Sequence, residues 1–113
     1  MINLKKNREF QIIYNSGQKS FGYYSLIFFK ENNTKFNRCG FVVSKKTGNA
    51  VCRNRLKRLF REYYRLHENE LKIGYDIIFV AKRTAGEKFK TLTYEEMKKD
   101  LDRVLKNIKE SNS

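Results

Sequence analysis

SKKTGNAVCRNRLKRLFREYYRL, residues 44–66, carries eight Lys and Arg against the single acid Glu62. Thr47-Gly48-Asn49 interrupts the strand before it. Asn49 is suited to cap a helix, its side-chain oxygen taking a backbone N–H of the first turn. At about 100° per residue, Cys52, Leu56, Leu59, Phe60, Tyr63 and Leu66 line up on one side of that helix, and Val51 falls off the stripe. Asn54, Lys57, Arg58, Arg61 and Arg65 take the opposite side, with Arg53 and Arg55 on the flanks.

The cationic side is unfavourable in isolation. Lys57, Arg61 and Arg65 recur at i, i+4, i+8, where like charges repel by about 0.2–0.5 kcal/mol per pair. Lys45, Lys46 and Arg53 crowd the positive end of the helix dipole. Selection for stability alone would place acids there. A polyanion that supplies the negative charge accounts for the pattern, and free N–H groups of the first turn add donors for a phosphate. An ordinary solvated face is the competing reading, which the near absence of acids disfavours.

Length and composition agree with this reading. A chain of 113 residues is expected to form a single domain over residues 1–113. A hydrophobic content of 40% with sixteen aromatics is enough for a core. The net charge of +13 points to nucleic acid or an anionic surface. A membrane partner is not expected, because no apolar run approaches ~18 residues. MINLKKNREF has charge but no apolar core of a secretory signal. Cys39 and Cys52 lack zinc-ligand spacing and read as small buried residues of a reduced cytoplasm.

Asn7 reads as the cap of a short helix over residues 8–16, stopped by Gly17, with Phe10, Ile13 and Tyr14 on one face. Residues 21–30, FGYYSLIFFK, read as a strand or a bent pair. Glu31-Asn32-Asn33-Thr34 is expected to turn a hairpin into a strand over 39–45, apolar on both faces and so expected to be central. The two directions alternate as Cys39, Phe41, Val43, Lys45 and Gly40, Val42, Ser44. Residues 75–82, YDIIFVAK, form another buried strand. Gly40, Gly48 and Gly74 look like bulge or turn positions. Residues 84–91 read as a polar loop. Thr93 and Glu96 form a capping box for a last helix from 94 to about 109, with Met97, Leu101, Val104, Leu105 and Ile108 on one face. Residues 110–113 read as a frayed tail. The result is an α+β chain: a small two-layer sandwich of helix, strands, helix, strand, helix on a mixed four-stranded sheet.

No self-sufficient catalytic site is legible. A two-metal nuclease needs converging carboxylates, and the acids here are scattered or lie in the last helix. His67, the only histidine, has no acid–base partner in the pattern and reads as an exposed or capping residue at a helix end. There is no phosphate-binding glycine loop and no zinc motif.

The run GNAVCRNRLKRLFRE, centred on Arg53-Asn54-Arg55 and preceded by FVVSKK, resembles the signature of the bacterial ribonuclease P protein subunit. Leu4-Lys5-Lys6-Asn7 with Phe10, and Leu92-Thr93-Tyr94-Glu95-Glu96, extend the resemblance over almost the whole chain. It implies an unusual left-handed βαβ crossover, where right-handed is the rule. It implies a cytoplasmic protein that is not itself the catalyst. The partners are then a catalytic RNA subunit, which mainly holds the Mg²⁺, and precursor tRNA, whose 5′ leader the assembly removes. No obligate protein partner is expected, and no metal site is assigned to the protein. Lys45, Lys46, Arg53, Asn54, Arg55, Lys57, Arg58, Arg61 and Arg65 would then meet the RNA subunit. Phe10, Tyr14, Phe28, Phe41 and Val43 would line an apolar cleft for the single-stranded leader. By spacing alone, Phe41 and Val43 read as core, and Tyr14 and Phe28 fit core or cleft equally.

Two other functions fit parts of the pattern. A ribosomal or RNA-chaperone protein would share the basic helix without needing a cleft. A small autonomous ribonuclease is disfavoured by the missing acids and histidines.

Overall fold

A computed structural model describes residues 1–110. The elements are β1 (Ile2–Asn3), α1 (Asn7–Ser16), β2 (Gln18–Phe21), β3 (Ser25–Glu31), β4 (Arg38–Val42), α2 (Ala50–His67), β5 (Tyr75–Ala81), α3 (Arg83–Lys88) and α4 (Tyr94–Val104). Short 3₁₀ turns follow α2 at Glu68–Glu70 and α4 at Lys106–Ile108. The sheet order is β1-β4-β5-β3-β2, with β1–β4 and β4–β5 parallel and β5–β3 and β3–β2 antiparallel.

The sheet thus has five strands, not the expected four. The extra one, β1, is two residues long, too short for any periodicity to show. The turn at residues 31–34 does not make a hairpin, because β5 inserts between β3 and β4 and pairs with both. The central strand is therefore β5 rather than β4. Four consecutive residues of β5, Asp76 to Phe79, are buried, as a strand flanked on both edges and both faces must be. Asn32 ties the turn across instead, its backbone N–H reaching the Gly74 carbonyl at 2.8 Å and its Nδ2 reaching Asp76 Oδ1 at 2.9 Å.

Strand alternation gives the sheet two apolar faces. Ile27 and Phe29 of β3, Cys39 of β4, and Ile77, Phe79 and Ala81 of β5 look toward α2 and α4. Phe28 and Ile78 look the other way, toward Ile13, Phe10 and Tyr14 of α1. α1 therefore adds an incomplete third layer to the expected two. On α2 the buried residues are Cys52, Leu56, Leu59, Phe60, Tyr63 and Tyr64; Leu66, expected in the stripe, is 47% exposed. Tyr64 takes its place because its ring meets Phe41 and Phe79 edge-on while its hydroxyl donates to Glu68 Oε2. Asn49 caps α2 as expected, accepting the Cys52 N–H at 2.9 Å.

Three local readings change. α1 is capped at Lys6, not Asn7, with Glu9 Oε1 accepting the Lys5 and Lys6 N–H groups. Residues 84–91 hold the helix α3, whose Ala85 is buried and whose Gly86 lies against the Thr47 backbone so closely that a Cβ would overlap its carbonyl. Glycine usually weakens a helix; here contact selects it. The last helix ends at Val104, and Ile108 completes the apolar face from the 3₁₀ turn. Of the expected tail, Glu110 donates its N–H to the Glu70 carbonyl, and 111–113 lie outside the described residues.

The acids hold this scaffold together. Asp100, buried under the β2–β3 turn, accepts the N–H groups of Tyr23 and Tyr24 and the Ser25 hydroxyl. Asp102 accepts from Tyr63, Lys98 and Lys109. Burial alone would raise its pKa, but those hydrogen bonds outweigh burial and hold the carboxyl well below its ordinary 3.8. A depressed folded value stabilises the protein above the unfolded one and loses that contribution as pH falls below it. Asp102→Asn should therefore cost roughly 1 kcal/mol in urea unfolding at neutral pH. The gap to wild type should narrow progressively below about pH 4.

Candidate nucleic-acid interface

Laying the α2 stripe on β4 and β5 leaves its other side no choice but solvent. Lys45, Lys46, Asn54, Arg55, Arg58, Arg61 and Arg65 are exposed, while Arg53 and Lys57 are half-buried. Arg53 Nη1 donates to the Gly48 carbonyl at 2.8 Å, and Arg55 Nη2 to the Leu92 carbonyl at 3.0 Å. Both are anchored by backbone oxygens, so their charge stays uncompensated. Arg61 stands 5.8 Å over the Phe41 ring. Among the described residues, no ion pair joins any of these cations to a carboxylate. The ion pairs use Glu9, Glu70, Asp76, Glu96, Asp100 and Asp102 instead. Those acids belong to α1, α4, β5 and the turn after α2, so the two charges are segregated.

On the sheet's second face, α1 and the strands enclose an apolar cleft. Phe28 is its floor, 9% exposed, with the Tyr14 ring edge-on at 4.8 Å and Phe10 6.3 Å beyond Tyr14. Burial raises the pKa of the Tyr14 phenol. Lys19 of β2 lies opposite Phe28 in register and 5.5 Å from its ring centroid.

Five residues expected in one cleft are thus split. Phe10, Tyr14 and Phe28 come together. Phe41 and Val43 do not: they belong to the opposite face, Val43 within the α2 core and Phe41 against Tyr64 and Phe79. Strand alternation is the reason, since odd positions of β4 face α2. Phe41 still reaches a notch of about 230 Å³ at the β4 edge, shared with Phe10, Gly40, Lys57 and Arg61. There the cleft and the cationic helix meet.

Sequence reasoning missed what sets the cleft's width. Arg38 forks onto Asp76 at 2.8 and 2.6 Å and reaches Glu9 Oε2 at 2.5 Å, clamping α1 to the end of β4 and β5. The Asp76 hydrogen bonds raise the Arg38 pKa, and the backbone N–H groups of Lys6 and Lys5, ahead of Arg38 itself, lower that of Glu9. Gly40 is not a bulge; it sits in unbroken register, and Phe10 lies over it. The usable signal was an Arg and an Asp at the starts of two buried strands.

His67 is neither free nor a simple cap. Its Nδ1 lies 2.8 Å from Glu70 and its Nε2 3.3 Å from the Tyr94 hydroxyl, with Tyr63 stacked at 4.4 Å. Cys39 and Cys52 are buried free thiols, and burial pushes Cys39 up to about 12. No helix among the described residues is long and apolar enough to cross a membrane, and no three His, Cys, Asp or Glu are grouped as around a metal ion.

A mixed-sheet α+β domain with one uncompensated cationic helix face and one half-open apolar sheet face defines the class. Compared with known proteins, residues 2–109 match the family model described as Ribonuclease P. The chain is 58% identical over 109 residues to a ribonuclease P protein component of Fusobacterium nucleatum, spanning 96% of this chain and 98% of that one. A component from Alkaliphilus metalliredigens is 40% identical, covering 94% of this chain and 92% of its own. Among solved structures, a Thermotoga maritima ribonuclease P protein superposes with a TM-score of 0.88 at 29% identity, covering 97% of this chain and 100% of that one. A Staphylococcus aureus one gives 0.83 at 33%, covering 95% and 94%. The chain belongs to the family of ribonuclease P protein components.

A methyl group at position 40 would stand 2.6 Å from Phe10 Cε1. Gly40→Ala should cost about 1–3 kcal/mol in urea unfolding. In a Phe10→Ala background the same change should cost little, a coupling that a double-mutant cycle measures.

Proposed function

We propose that this chain is the protein partner of a catalytic RNA in precursor-tRNA 5′ maturation, and that it binds through two separate surfaces. Lys45, Lys46, Arg53, Asn54, Arg55, Lys57, Arg58, Arg61 and Arg65 meet phosphates of the folded RNA subunit. Arg forks suit bidentate phosphate contact, and Lys acts as a point charge. Phe10, Tyr14 and Phe28 hold nucleotides of the single-stranded leader, by stacking that tolerates sequence variation. Phe41 contributes at the notch beside Arg61, and Val43 backs the sheet from the α2 side.

The observation that carries this reading is the unpaired ridge. Seven ion pairs of Lys or Arg with carboxylates form among the described residues, and none uses a cation of the α2 face. Left unpaired, that ridge stands ready for an external polyanion. Asp76, Asp100 and Asp102 are consumed by arginine, lysine, tyrosine and backbone donors, so these three carboxylates do not suit a resident catalytic metal. In this reading the Mg²⁺ and the bond cleavage belong to the RNA subunit, and the assembly works in the cytoplasm without a further protein.

Precursor tRNA incubated with the protein alone should stay intact, and addition of the RNA subunit should give cleavage that the protein enhances. Cleavage by protein alone would favour an autonomous ribonuclease; no enhancement would favour a general RNA-binding protein. Arg58→Ala with Arg61→Ala should flatten the log–log salt dependence of binding to the RNA subunit by about 0.7–0.9 per lost phosphate contact. An unchanged slope would remove the phosphate role. Phe10→Ala and Phe28→Ala should weaken binding of precursor tRNA by the assembly more than binding of mature tRNA, measured by direct titration. Equal losses would make the rings purely structural.

A further inference from the structure

α1 covers only part of the sheet's second face. Strand register places Gly40, Ile78, Phe28 and Lys19 in one row across β4, β5, β3 and β2, and this is the row beneath Phe10 and Tyr14. The next row is Val42, Val80, Leu26 and Phe21. The first three are half-buried, and Phe21, at the edge strand, is 68% exposed. Isolated exposed apolar residues are ordinary; a continuous row at the mouth of a cleft is not. Adjacent strands lie about 4.8 Å apart, so the row runs roughly 14 Å from the β4 edge to the β2 edge.

The edge strand is also charged for a phosphate chain. Lys19 is exposed on the same face as Phe21, two residues away, and among the described residues no ion pair holds it. The nearby Asp100 is saturated by backbone and side-chain donors. The turn after Phe21 is fixed, since Gly22 donates to the Ser25 carbonyl at 2.7 Å and Lys82 Nζ reaches the Gly22 carbonyl at 2.9 Å. The ring is thus presented from a rigid support, so little order is lost on binding.

We infer that β2 is a distal leader-binding wall, with Phe21 stacking on one nucleotide and Lys19 contacting its phosphate, upstream of those held by Phe10, Tyr14 and Phe28. This rests on the cleft being the leader site. The occupant is single-stranded RNA continuing across the open row from the cleft, because the surface joins that cleft without a break and carries matching positive charge.

The assembly reconstituted with its RNA subunit tests this with precursor tRNAs bearing leaders of about four and about twelve nucleotides. Phe21→Ala should lower affinity for the long leader about fivefold or more, the lower end of base–aromatic stacking, and leave the short leader unchanged. Lys19→Ala should reduce the salt slope by about 0.7 with the long leader. Phe36→Ala, equally exposed but in the β3–β4 turn, should do neither. The inference is overturned if Phe21→Ala affects both leaders alike, affects neither, or matches Phe36→Ala while Phe28→Ala still separates precursor from mature tRNA. If leader length and Phe28→Ala are both without effect, the cleft reading itself falls and takes the wall with it.

Discussion

Burial of one helical stripe governs the molecule. Once Cys52, Leu56, Leu59, Phe60, Tyr63 and Tyr64 are sealed against β4 and β5, the rotation of α2 is fixed. Turning the helix to shelter its arginines would expose aromatic and aliphatic groups worth about 1.5–3 kcal/mol each. The like-charge repulsion on the outer face, a few tenths of a kcal/mol per pair, is far smaller. Hydrophobic burial therefore wins, and the cationic ridge is its consequence.

The acids are deployed so that they do not undo this. Twelve are available against twenty-five Lys and Arg. Among those that form ion pairs, Glu9 and Asp76 hold α1 to the sheet through Arg38, Glu96 ties α4 to α3 through Lys88, and Asp102 ties α4 to Lys109. Such partly buried, multiply bonded pairs are better held than isolated surface ones. The same contacts shape the second face: the Arg38 clamp sets where α1 lies, and α1 decides which aromatic row is roofed and which stays open.

The cationic ridge of α2 and the apolar cleft, on opposite sides of one sheet, then meet at the β4 edge. β1 ends at Asn3, so it pairs with Arg38 and Cys39 and leaves the rest of that edge uncovered. Phe10 and Gly40 approach the notch from one face, Phe41, Lys57 and Arg61 from the other. A short first strand is thus what lets the cleft communicate with the ridge.

Most of α2, the capping box of α4 and the two buried strands were legible in the chain, because each is encoded by local spacing: a 3.6-residue stripe, a Thr–Glu pair three apart, a run apolar on both faces. So was the charged face, since net charge and the rarity of acids need no coordinates. Strand order was not, because insertion of β5 between β3 and β4 is decided by contacts tens of residues apart, and a turn sequence such as Glu31-Asn32-Asn33-Thr34 is compatible with either outcome. Nor was the cleft: Phe28 and Phe41 look alike in sequence, yet register turns one toward α1 and the other toward α2. Local periodicity can fix which residues of a segment share a side; only packing against the other segments decides what that side meets.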